Sequence, residues 1–298
     1  MMSPLRAFQA TSVNFSSKLR DFWALIKGLQ TGLLLVTGLA GFMSACCPVL
    51  RWQKLLALTG SLFLVISGST ILNMWYDRDI DARMRRTCWR PLPSGRISPR
   101  ESLMFGLLLS ILGVGWALGI HWLYGTIVFA GLFCDVVVYT MWLKRRTAWS
   151  IAWGGIAGGM PILAGRALGT GRIDWVGLSL ASGVLLWIPI HIITINMRHD
   201  RDYQRADIPT FPSTYGVQAT RVIIAVSSLG TALAIAFAVI GISMTWGYLR
   251  LLAVLSAGML ALSVTSIVRP SERLNFGLFK YASVFMLSSM LLIIAEAI

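Results

Sequence analysis

Acidic residues are scarce in this chain. Asp and Glu number 12 in 298 residues against 26 Lys and Arg, and charged residues make up only 13% of the chain. A water-soluble domain carries about 25% charged residues, so a fold with a charged shell on all sides is excluded. Long polar stretches between the apolar runs are missing too, which leaves no separate soluble domain. Cysteine is sparse: Cys46, Cys47, Cys88 and Cys134 make no CxxC pair and no metal-ligand spacing. That rules out a disulfide framework and a zinc site, and all four read as small apolar fillers at or near span ends. Alternating strands of about ten residues are lacking as well, which argues against a membrane barrel.

What is present is apolar sequence in long runs. Hydrophobic residues make up 56% of the chain, and a membrane span needs roughly 20 of them in a row. Nine helices are predicted, over 22–46, 53–76, 101–120, 122–143, 149–168, 175–197, 219–242, 247–268 and 275–296. The expected fold is an all-α polytopic membrane protein, a single integral-membrane domain over 1–298 with nine helices around a central cavity. Residues 1–20 are polar and read as a terminal segment on the cytoplasmic side, not as a cleavable signal.

The basic residues give the sidedness. Arg78, Arg83, Arg85, Arg86, Arg90, Arg96 and Arg100 follow the second run, Lys144, Arg145 and Arg146 the fourth, Arg198, Arg201, Arg205 and Arg221 the sixth, Arg269 and Arg273 the eighth. The alternate loops are poorer, with Arg51 and Lys54, then none, Arg172 and Arg250. Positively charged loops stay in the cytoplasm, so the N-terminus is expected there and the C-terminus outside. The net charge of +14 points to anionic lipid headgroups and a phosphate-bearing substrate. Nucleic acid is not expected, because no domain is left to present a groove.

The few acids are concentrated. Six of the nine aspartates lie in two windows, Asp77, Asp79 and Asp81, then Asp200, Asp202 and Asp207. Residues four apart share a helix face, so Asn73, Asp77 and Asp81 form a polar column where the second apolar run ends. Asn196 and Asp200 repeat the N-x-x-x-D spacing at the end of the sixth. Carboxylates in a column repel one another unless a cation lies between them, and hard oxygen ligands suit magnesium, which is commonly held with substrate phosphates. Two such columns facing each other would clamp a diphosphate, with arginines on its remaining charge. Either window alone reads equally well as a solvated, ion-paired helix end; the same Asn-led spacing twice favours a site. Asp79 points off the column and is expected in a salt bridge.

The stretch "NMWYDRDIDARMRRTCWRPLPSGRIS" (73–98) resembles the N-x-x-x-D-x-x-x-D signature of the intramembrane prenyltransferases of the UbiA superfamily, in the form of its haem O synthase branch. "YTMWLKRRTAWSIAWGGIAGGMP" (139–161), "WIPIH" (187–191) and "DYQRADIPTFP" (202–212) resemble further stretches of that branch. The resemblance implies a nine-helix bundle whose cavity opens to the cytoplasm and admits lipid tails from the side. It implies Mg2+-dependent transfer of an isoprenyl, here farnesyl, group from its diphosphate to a hydrophobic acceptor, haem b or a quinone precursor. Carried onto this chain, Asn73, Asp77 and Asp81 would hold one magnesium, and Asn196, Asp200 and Asp202 the second. Arg86, Arg90, Lys144, Arg145 and Arg198 would meet the diphosphate. Asp77, Asp81, Asp200 and Tyr139 are the expected catalytic residues.

Four positions depart from the branch: Asp207 stands where Gly is usual, Ile192 and Ile193 follow His191 in place of an aromatic pair, Arg166 replaces a small or apolar residue, and "IKGLQ" (26–30) replaces a Lys-Pro. The acceptor side is therefore less determined than the metal columns. His191 and Asp135, both polar residues inside apolar runs, are assigned to that side. Asp135 lies four residues before Tyr139, which would put both on the cavity face, and Arg166 is a conceivable partner for it. Pro189 is expected to kink its helix. Trp75, Tyr76 and Trp187 read as packing. A quinone-ring or lipid-glycerol acceptor is the alternative within the superfamily; a cation-coupled transporter is the alternative outside it, and its site would be expected near mid-membrane rather than at span ends.

Overall fold

Each apolar run becomes helix. The computed structural model describes residues 15–45 and 52–298; Cys46, Cys47, Arg51, the first 14 residues and the end of the first predicted helix lie outside them. The chain runs through α1 Phe15–Ile26, α2 Gly28–Met43, α3 Trp52–Tyr76, α4 Arg78–Arg83, α5 Pro99–Ile120 and α6 Trp122–Phe133, which continues as a π-helical segment, Cys134–Leu143. It goes on through α7 Ser150–Thr170, α8 Trp175–Arg198, α9 Asp200–Arg205, α10 Phe211–Gly241, α11 Trp246–Val268 and α12 Glu272–Glu296. Among the described residues there is no strand.

Among the described residues seven helices are long and apolar enough to cross a membrane, and eight if the pair α1–α2, bent by 49°, counts as one span. Of the nine predicted runs the one outside this set is α7, which carries six glycines and Arg166. Its small residues let its neighbours approach. A Cβ on Gly165 would stand 2.0 Å from the Gly38 carbonyl oxygen of α2, and one on Gly41 would stand 2.0 Å from that of Ile162. Backbones that close leave no room for a side chain, so α2 and α7 meet along glycine.

The first predicted helix is two, because the chain takes a left-handed conformation at Lys27 (φ 50°, ψ 60°). The seventh starts eight residues earlier than expected, with Gly216 in a positive-φ conformation (φ 81°, ψ 163°) interrupting it. The chain stays helical through Pro189. The main core gathers α8, α10, α11 and α12 around Trp187, Ile190 and Phe285, and a second core gathers α2, α3, α6 and α7 around Leu62 and Tyr124.

Arg166 is 7% exposed and deep at the end of α7 remote from the acidic columns. It grips Asp174 through Nε (2.8 and 3.0 Å) and Nη2 (2.7 Å), and donates from Nη1 to the Ser44 carbonyl (2.6 Å) and hydroxyl (3.0 Å). It therefore ties the end of α2 to the α7–α8 turn, and is not the partner of Asp135. The guanidinium holds the Asp174 carboxyl below its ordinary pKa.

Candidate active site

The first column survives a helix junction. Asp77 sits between α3 and α4, yet its N–H bonds the Asn73 carbonyl (3.0 Å) and the Asp81 N–H bonds the Asp77 carbonyl (2.8 Å). The four-residue spacing is thus kept, and Asn73, Asp77 and Asp81 remain in helical register. Asp77 and Asp81 are 5% and 6% exposed, while the Asp79 side chain is 47% exposed, as the one-face reading requires. Asp77 Oδ2 accepts from Lys144 Nζ; its Oδ1 is buried without a hydrogen-bond partner. Asp81 accepts from Arg90 Nη1 at both oxygens (3.0 and 2.8 Å). Asp79 forms the expected salt bridge, a two-pronged one with Arg145 (2.8 and 2.7 Å), and this pair pulls the Asp79 carboxyl below its usual range. Arg145 also lies over the Tyr76 ring at 4.7 Å.

The π segment decides what faces this column. In a π turn residues five apart stack, rather than four, and the Lys144 N–H bonds the Tyr139 carbonyl (2.8 Å) on that pattern. Lys144 Nζ accordingly lies 5.6 Å from the Tyr139 ring centre. Burial alone would depress the Lys144 ammonium; the Tyr139 hydroxyl and the Asp77 carboxylate outweigh it and hold the pKa above the ordinary value. Asp135 is not beside His191. Its Oδ2 accepts from Ser69 (2.5 Å) and weakly from Asn73 Nδ2 (3.4 Å), and the Thr140 hydroxyl lies 2.7 Å from both Asn73 Oδ1 and the Asp135 carbonyl. These contacts set Asp135 beside the first column, in a π segment whose turns are wider than the α periodicity behind the expectation that it shares a face with Tyr139.

The second motif lies at the α8–α9 junction. Asn196 ends α8 and Asp200 opens α9. Asn196 Oδ1 and Asp200 Oδ1 are both buried and unpartnered, Asp200 Oδ2 accepts from Gln204 (2.6 Å), and Asp202 pairs with Arg205 at 3.6 Å. Asp207 adopts φ 55°, a left-handed conformation that glycine takes freely and Asp tolerates better than most. That is why this departure leaves the turn intact. The two loops pack together: Ile80 and Met84 against Tyr203, Ala206 and Ile208, Arg83 on Asp207 (3.4 Å), and Arg86 on the Tyr203 hydroxyl (3.5 Å).

Among the described residues no three His, Cys, Asp or Glu side chains converge as a ready-made metal site, since each column carboxylate also has a cationic or amide neighbour. The donor set nevertheless fits magnesium. Three buried oxygens, on Asp77, Asn196 and Asp200, have no partner, and all three are the hard type that this ion takes.

Arg86 and Arg198, expected on the diphosphate, line a cavity of about 210 Å³ with Thr194, His199, Phe276 and Phe279. Burial and the two guanidiniums lower the His199 pKa. His191 stacks between Trp187 (4.9 Å) and Phe279 (4.5 Å), with Nδ1 3.1 Å from the Ser283 hydroxyl. Residues that sequence reasoning missed are Ser69, Thr140, Tyr203, Phe276 and Phe279. Ser69 carried a signal, standing four residues before Asn73 on the same face.

The family model described as UbiA prenyltransferase family matches residues 34–289. The chain belongs to the UbiA prenyltransferase family. A protoheme IX farnesyltransferase of Korarchaeum cryptofilum is 43% identical over 215 residues, 72% of each chain. One from Desulforudis audaxviator is 34% identical over 278 residues, covering 91% of this chain and 86% of its own length. Among solved structures, a digeranylgeranylglyceryl phosphate synthase shares the fold at TM-score 0.79 and 20% identity, over 94% of this chain and 99% of that one. A UbiA homologue from Archaeoglobus fulgidus bound to GPP and Mg2+ does so at 0.68 and 16%, over 92% and 99%. This UbiA-family chain is a prenyltransferase embedded in a membrane.

Proposed function

We propose that the chain transfers a farnesyl group from its diphosphate to haem b in a magnesium-dependent reaction, at the cytoplasmic face. The observation that carries the metal and donor reading is the set of three buried, unpartnered oxygens on two Asn-led columns whose loops pack together. The acceptor reading is supported by relatives named protoheme IX farnesyltransferase at up to 43% identity, and the donor reading by a UbiA homologue carrying GPP and Mg2+.

Asn73, Asp77 and Asp81 would hold one ion, and Asn196, Asp200 and Asp202 the other. Bound magnesium would supply Lewis-acid neutralisation of the diphosphate as it leaves. Lys144 and Arg90, already placed on Asp77 and Asp81, donate to the remaining phosphate oxygens, and Arg145 flanks them through Asp79. Their positive charge is worth most where negative charge grows. The C–O bond of the allylic carbon breaks with its electron pair going to the diphosphate. A vinyl π bond of haem attacks that carbon; the cation left on the acceptor takes up water and loses a proton. Tyr139, packed beside Lys144, helps close the donor end against water, so that the allylic cation meets the π bond first.

The test is to incubate purified protein with farnesyl diphosphate, magnesium and haem b and to look for farnesylated haem by mass spectrometry. No product, together with turnover of a quinone precursor, would reject the haem assignment.

A further inference from the structure

The basic residues at the motif end fall into two groups. Arg83, Arg90, Arg96, Arg145 and Arg205 each hold a carboxylate, as does Lys144. Others, among them Arg78, Arg85, Arg86, Arg146, Arg198 and Arg201, have no carboxylate partner among the described residues, and of these Arg86 and Arg198 share a cavity. Arg86 reaches only the Tyr203 hydroxyl, and Arg198 lies 3.9 Å over the Phe276 ring. Both open into the same 210 Å³ cavity, which no carboxylate lines. Lys280 adds a second cation 4.6 Å from Phe276. The space is smaller than a whole-ligand pocket of about 300–1,000 Å³, so it takes one anionic end of a ligand.

The rest of the ligand has a surface waiting. From Phe276 the rings step to Phe279 (5.9 Å), then His191 (4.5 Å), then Trp187 (4.9 Å). This row lies on α8 and α12, whereas Asp77, Lys144 and Tyr139 lie on α3 and the π segment. A contiguous aromatic row ending in two unpaired guanidiniums matches a flat conjugated molecule with carboxylates at one edge. Guanidinium binds carboxylate in a two-pronged fashion, and aromatic faces stack on extended π systems.

We propose that this cavity is the carboxylate end of the acceptor site, and that Arg86 and Arg198 bind the carboxylate edge of a planar tetrapyrrole while Phe276 and Phe279, which line the cavity, lie against its plane, with His191 and Trp187 backing Phe279. This rests on the haem reading and deepens it, moving Arg86 and Arg198 from donor to acceptor.

The probes are zinc protoporphyrin IX and its dimethyl ester, titrated by fluorescence against the full chain in lipid nanodiscs. The free acid should bind roughly tenfold tighter than the ester or more, the worth of a charge-assisted pair. Arg86→Gln with Arg198→Gln should erase that preference, keep ester affinity within about threefold, and retain magnesium-dependent binding of a non-reactive farnesyl thiodiphosphate, which also reports folding. Equal affinity of the unaltered chain for acid and ester would overturn the assignment without needing a variant. So would a double variant that keeps the acid preference but loses the thiodiphosphate, since the arginines would then serve the donor. In either case farnesylated haem would still appear in the activity assay, and its absence would instead point to failure of the haem reading itself.

Discussion

Replacing Asp77 by Asn removes one charge and almost no volume, and separates the catalytic role from packing. Asp77 is 5% exposed and its carboxylate answers to Lys144 on one oxygen and to nothing on the other. Unit charges about 4 Å apart attract by about 4 kcal/mol at an effective dielectric of 20. Most of that is offset by the cost of keeping both dry, so the net stability loss should be about 1–3 kcal/mol, too little to unfold the bundle. Activity has no such offset. An amide is a poor substitute for a carboxylate beside magnesium, and loss of one charge-stabilising group costs about 10²–10³-fold in rate, or about 2.7–4 kcal/mol. Asp79→Asn breaks an exposed pair with Arg145, worth about 0–1 kcal/mol, and its rate should stay within about fivefold of the parent. The assay is product formation by mass spectrometry with thermal unfolding measured on the same preparations. Equal loss of activity in the two variants, or a folded Asp77→Asn that keeps magnesium-dependent turnover, would refute the column as a metal site.

Asp135→Leu should lower the rate by about 10–100-fold, the usual effect of losing a group that orients a metal ligand, and should raise the magnesium concentration needed for half-maximal rate; Asp135→Asn, which still accepts from Ser69, should recover most of both. Arg166→Met should lower the unfolding temperature sharply, because breaking a buried pair costs about 3–5 kcal/mol, while leaving the magnesium requirement unchanged. The Asp174 carboxyl is held by Arg166 below the ordinary Asp value of about 4. Its contribution to stability is therefore full above about pH 4 and is lost as pH falls through the depressed folded-state value. Thermal unfolding between pH 3 and 6 checks this, and in Asp174→Asn that part of the acid sensitivity should vanish.

Much of this was legible because membrane segments are written in one-dimensional code. Run length gave the helices, and the spacing of four gave the first column, since the backbone hydrogen bonds at Asp77 and Asp81 keep helical register across the α3–α4 junction. Asp79 was placed correctly for the same reason. The partners of Asp135 were not readable, because nothing in "CDVVVYTMWL" announces a π segment, and its wider turn rotates the face. The partner of Arg166 was not readable from spacing either: Asp174 lies across a turn and Ser44 on another helix. Pairings between Asp77 and Lys144, or Arg86 and Tyr203, span long stretches of chain and are set by packing. The aromatic row on α8 and α12 shares this origin, because its four rings come from two helices that meet only in the fold.

The distribution of unsatisfied polar atoms carries the last step. Inside a bilayer no water compensates a bare oxygen, and each such group costs several kcal/mol. The described residues leave seven side-chain atoms buried and unpartnered, on Ser67, Asp77, Ser102, Asn196, Asp200, Arg221 and Asn275. Three of the seven belong to the two Asn-led columns, which are a very small part of the chain. Elsewhere the same fold spends side chains to avoid this: Ser61 bonds Tyr124 (2.8 Å), Ser228 bonds Ser263 (2.7 Å), and Arg166 uses three of its nitrogens. In a bundle that satisfies its polar atoms so thoroughly, the bare oxygens of Asp77, Asn196 and Asp200 are the ones that the proposed magnesium ions would satisfy.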